Sequence, residues 1–95
     1  MIVPYDDIER FVRAEVAALT SKPNEDVTPE TVLIGSGRVL DSADLVMLLL
    51  SSEEFARERL GAAFDWTSDS AMSEARSVLR SVGSLARHLT ALQAA

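Results

Sequence analysis

Leu40-Asp41-Ser42-Ala43-Asp44-Leu45-Val46-Met47-Leu48-Leu49-Leu50 is the stretch on which the fold turns. A loop containing Gly35 and Gly37 ends in an Asp-Ser pair, and an almost unbroken apolar run follows at once. Together these predict a helix over residues 42–59, with Gly61 as its stop. Leu45, Val46, Leu48, Leu49, Leu50 and Phe55 cover more than one stripe of that helix. A helix so patterned is mostly buried or has a second apolar contact. The pair Asp41-Ser42 lies at the helix start, where unpaired backbone N–H groups and the positive dipole end favour an anion. Serine is also a preferred cap, so a capping role alone is the simplest reading of Ser42.

Upstream, residues 6–20 are predicted to form a first helix. Ile8, Phe11, Val12, Val16 and Leu19 recur at helical spacing. Asp6 or Asp7 can cap it, and Pro23 closes the segment because it lacks a donor and restricts the residue before it. Residues 21–41 read as a long loop punctuated by Pro23, Pro29, Gly35 and Gly37. Val27, Val32, Leu33 and Ile34 should pin it to the core. Within it, Thr28-Pro29-Glu30-Thr31 reads as a single helical turn with Thr28 as cap.

Downstream, Ala62-Ala63-Phe64-Asp65-Trp66 reads as extended or irregular, and Thr67–Met72 as a turn entering a short helix capped by Ser68 or Asp69. A last helix over 81–92 carries the stripe Val82, Leu85, Ala86, Leu89 and Leu92, with Ser81 as cap and Gly83 as a weak point. The expected fold is all-α: four helices, one of them short, in a bundle with a long first loop.

Length and composition narrow the function. A chain of 95 residues is one domain, 1–95. With no cysteine it holds neither a disulfide nor a thiolate metal site, and no acid-and-histidine constellation suggests another metal centre. The net charge of −6 disfavours nucleic acid and anionic lipid and favours basic protein partners. Residues 1–44 hold nine acids and four bases, net −5, so the acidic face belongs to this half and to the start of the Ser42 helix. No basic-then-apolar leader opens the chain, and Leu45–Leu50 is far shorter than the ~20 residues that span a bilayer. These features lead us to expect a soluble, cytoplasmic monomer without membrane insertion.

The order of parts resembles a stand-alone acyl carrier protein over nearly the whole chain. Val27-Thr28-Pro29-Glu30 looks like the turn in that family's first loop. Leu33-Ile34-Gly35-Ser36-Gly37-Arg38-Val39-Leu40-Asp41-Ser42 looks like the approach to the modified serine, Asp44-Leu45-Val46 like the recognition helix, and Arg80-Ser81-Val82-Gly83-Ser84-Leu85-Ala86 like the start of the last helix. The resemblance implies that the chain is no enzyme. Ser42 would carry 4′-phosphopantetheine, whose thiol holds an acyl or aminoacyl thioester, and Asp41, Ala43, Asp44 and Met47 would meet partners. Those partners would be a phosphopantetheinyl transferase, an acyl- or aminoacyl-loading ligase, and a downstream synthase or transferase. Fatty-acid-type carriers usually read Gly-x-Asp-Ser-Leu with a Glu where Met47 stands. Here Gly37 lies two positions further back and Ala43 follows the serine. With the long segment through Trp66, these departures imply a specialised lipid or secondary-metabolite pathway.

The remaining candidates are weaker. His88 reads as a surface or boundary residue, because one isolated histidine makes no catalytic constellation. Phe64, Trp66, Met47 and Met72 read as core filling, and Glu53-Glu54 as a solvated face. Gly35-Ser36-Gly37 lacks the lysine of a phosphate loop. The rival reading is an unmodified helical protein-interaction domain, motivated by Ala43 and Met47.

Overall fold

The computed structural model describes residues 2–21, 23–35, 37–66 and 77–93. Among them are three α-helices and no strand: α1 (Tyr5–Thr20), α2 (Ser42–Phe55) and α3 (Val82–Gln93). A 3₁₀ turn, Asn24–Asp26, follows α1, and a π-helical turn, Ala56–Leu60, prolongs α2. The expected short helix over 67–72, its caps Ser68 and Asp69, and Met72 lie outside the described residues, so the four-helix count is not established. None of the described helices is long and apolar enough to cross a membrane.

α1 begins one residue earlier than its acids suggest. Pro4, not Asp6 or Asp7, is the residue before the first turn, and its carbonyl accepts from the N–H groups of Asp7 and Ile8 (3.1 and 3.2 Å). Asp6 and Asp7 instead sit inside the first turn, where their charge suits the positive helix end. The helix buries Ile8, Val12 and Val16 completely. It ends at Ser21, whose left-handed backbone (φ 58°) lets its N–H reach the Ala17 carbonyl.

The 27–40 segment is held by backbone bonds to the entrance of α3. Val32 and Ser81 form an isolated antiparallel bridge. Leu33 N–H donates to Arg80 O (3.1 Å), Val82 N–H to Thr31 O (3.0 Å) and Gly83 N–H to Pro29 O (2.8 Å). Thr28–Thr31 closes as a single turn, with Thr28 Oγ1 accepting from Glu30 N–H at 3.2 Å. Val27 and Leu33 are buried, as expected; Val32 and Ile34 are half-buried.

α3 starts as its sequence implies. Ser81 and Ser84 cap each other: Ser84 N–H donates to Ser81 Oγ (3.2 Å) and Ser81 N–H to Ser84 Oγ (2.9 Å), a capping box built from two serines. Gly83 also packs closely against the first loop. A Cβ there would lie 3.1 Å from the Pro29 carbonyl oxygen and 3.3 Å from the Pro29 Cβ.

The core lies where α1 meets α2 and α3, and Leu48, Leu85 and Leu89 are fully buried in it. Phe55 of α2 stacks on Phe11 of α1, with ring centroids 4.1 Å apart and planes at 12°. Val3 and Gln93 are also joined. The side-chain amide of Gln93 exchanges hydrogen bonds with the backbone N–H and C=O of Val3.

Candidate functional site at the start of the second helix

Ser42 is the first residue of α2 and is exposed. It does not cap the helix. Asp41 does, in extended backbone, with Oδ1 accepting from Asp44 N–H at 2.8 Å. The main-chain carbonyl of Asp41 accepts the first helical bond, from Leu45 N–H (2.9 Å). This division of labour leaves the Ser42 hydroxyl without a hydrogen-bond partner among the described residues. Asp44 N–H is taken, so the N–H groups of Ser42 and Ala43 remain as the donors that an anion at this end would use.

The approach to the site has two left-handed glycines, Gly35 and Gly37, both at φ 83°. That backbone conformation is costly for any residue with a Cβ. Between them and the helix, Leu40 is buried and Val39 N–H donates to Val32 O (3.1 Å), so the last loop residue before Asp41 is anchored. The exposed hydroxyl is therefore presented by a fixed backbone.

Of the residues expected to meet partners, Asp41 and Ala43 are exposed and Asp44 is half-buried. Met47 is 52% exposed rather than core filling, which corrects its sequence reading. Two residues not singled out as contacts join it: Val46 (44% exposed) and Leu50 (46%). Positions 43, 46, 47 and 50 share one face of a helix, so α2 presents an apolar stripe about 12 Å long that begins beside Ser42. The missed signal was that spacing, hidden inside a run in which nearly every residue is apolar.

The far end of α2 holds the aromatic residues. Phe64 is buried, and its ring lies 5.5 Å from that of His88, a half-buried boundary histidine. Trp66 is half-buried and donates its indole N–H to Glu53 Oε1 at 3.1 Å, so Glu53 is not simply solvated. Phe64 also lines a shallow groove of about 500 Å³ with Glu53, Arg57 and Gly61. No group of three or more His, Cys, Asp or Glu side chains among the described residues could hold a metal ion.

No protein-family model, curated protein or solved structure matches the chain.

Proposed function

We propose that the chain is a carrier protein whose Ser42 takes a 4′-phosphopantetheine arm and so presents an acyl or aminoacyl thioester to partner enzymes in a specialised pathway. One observation carries this reading: Asp41 performs the capping, and the Ser42 hydroxyl beside it stands exposed, with no hydrogen-bond partner among the described residues. A residue needed only as a cap would be engaged with the helix. The site also fits the group, since a phosphodiester on Ser42 Oγ would lie beside the free N–H groups of the first turn.

Ser42 Oγ attacks the pyrophosphate phosphorus of coenzyme A that bears the pantetheine. A P–O bond to serine forms, the pyrophosphate bond breaks, adenosine 3′,5′-bisphosphate leaves, and the serine proton passes to a base on the transferase. The protein itself catalyses nothing. Its residues position the hydroxyl, supply donors for the phosphate, and offer the stripe Ala43, Val46, Met47 and Leu50 to the enzymes that act there.

The test is co-expression with a promiscuous phosphopantetheinyl transferase followed by intact-mass measurement. One added phosphopantetheinyl group is expected, and none in Ser42→Ala. An unmodified wild-type protein, or modification that survives the substitution, would overturn the reading. The exposed stripe on α2 favours a second reading, an unmodified interaction domain that binds its partner through that face. Unmodified Ser42 in protein from its native cell, bound to a partner, would select it.

A further inference from the structure

We propose that the entrance of α3, residues 80–83, is a positioning element for Ser42 and acts on it through the first loop. This role rests on the carrier reading of Ser42 and deepens it, because it names what holds the hydroxyl in place for transfer. Among the described residues, α2 and α3 nowhere approach within 8 Å, Cα to Cα; α3 packs on α1 and on the π-helical turn that prolongs α2. The direct link from α3 to the Ser42 end of α2 is therefore the loop between them.

That link is made of backbone bonds. Val82 N–H donates to Thr31 O (3.0 Å) and Leu33 N–H to Arg80 O (3.1 Å), on either side of the Val32–Ser81 bridge. Val32 then uses its own carbonyl to accept from Val39 N–H (3.1 Å). Residues 31–33 are thus held by α3 and in turn hold the chain just before the site. Of the residues that follow, Val39 is bonded, Leu40 is buried, Asp41 caps the helix, and Ser42 is next. Gly83 fixes the start of the same loop, donating its N–H to Pro29 O at 2.8 Å. Val82 is the first residue of α3, where the helix itself has no acceptor for the amide hydrogen, so the donor is free to serve the loop. Contiguous hydrogen bonds of this kind carry displacement between sites. Group transfer is sensitive to it, since a misplacement of about 1 Å can cost about 100-fold in rate.

Two substitutions at one position separate this role from plain stability. Proline is well accommodated at a first helical position, so Val82→Pro removes the donor and spares the helix. Val82→Ala deletes more of the buried side chain but keeps the donor. Both full-length variants are compared with wild type by amide hydrogen exchange and by the kinetics of a promiscuous phosphopantetheinyl transferase with coenzyme A. In Val82→Pro, exchange at the Val39 amide should rise about fivefold, the factor that one net hydrogen bond represents. Its kcat for transfer should fall at least about threefold, with KM within about twofold because the exposed stripe on α2 is untouched. Val82→Ala should lower Tm yet leave Val39 exchange and kcat within about twofold of wild type. Gly83→Ala, which presses the same loop at Pro29, is the second displacement and should move both readouts in the direction of Val82→Pro. Equal losses in the two Val82 variants, or faster Val39 exchange with kcat unchanged, would overturn the proposal. Wild-type protein that takes no phosphopantetheine would overturn the carrier reading and this role together; exchange, read on unmodified protein without transferase, keeps that failure apart from a failure of the linkage.

Discussion

Asp41 and Ser42 are neighbours with opposite duties, and substitution should separate them. Asp41→Ala removes the acceptor for Asp44 N–H. Losing such a cap should cost about 1 kcal/mol, which for a domain of this size is a fall in Tm of roughly 4–8 °C. Ser42→Ala removes a hydroxyl that bonds nothing among the described residues and should stay within about 0.5 kcal/mol of wild type. Paired thermal melts decide the matter: equal losses would make Ser42 structural. Ser52 offers the inverse case. It is fully buried on α2, and its hydroxyl has no hydrogen-bond partner among the described residues. An unsatisfied buried hydroxyl carries a desolvation penalty of about 1 kcal/mol or more. Ser52→Ala should therefore leave stability unchanged or raise it by up to that amount in urea unfolding. A loss of similar size would show that the hydroxyl is satisfied in solution, for instance by buried water.

At the scale of the element, α3 and the first loop behave as one unit. Ala in place of Gly in a helix ordinarily stabilises by about 1 kcal/mol. At Gly83 the added Cβ would press on Pro29, so that gain should not appear in the Tm of Gly83→Ala. A rise of several degrees would mean that Pro29 yields without cost. The same case shows what local pattern can and cannot reveal. The stripe Ile8, Val12 and Val16 marked α1, and Ser81 marked the start of α3, because period and capping are local properties. The demand at Gly83 and the Val32–Ser81 bridge are set by residues half a chain apart and leave no local trace. α2 fell between these cases. Its start was plain from Asp41-Ser42 and the following apolar run. Its inward side was not, because Leu45–Leu50 is apolar all round and only packing against α1 leaves Val46, Met47 and Leu50 outside. Capping was the simplest reading of Ser42, and the backbone gives that role to Asp41 instead.

For the whole molecule, one side chain ties together two segments 90 residues apart in sequence. Gln93 does this with two hydrogen bonds to the Val3 backbone. Gln93→Ala should cost about 1–2 kcal/mol, at roughly 1 kcal/mol per net hydrogen bond. It should also speed hydrogen exchange at the Val3 amide by a larger factor than at Leu85. Equal acceleration at both amides would indicate that the ends open only with the whole fold.

Trp66 is the only tryptophan in the chain, and its indole is fastened to Glu53 on α2. The protein thus carries a built-in optical reporter on the helix that begins at Ser42. Any event that shifts the distal part of that helix or frees the Glu53 carboxylate will change the polarity around a single fluorophore. Emission wavelength and anisotropy can then follow loading, docking or unfolding in unlabelled protein.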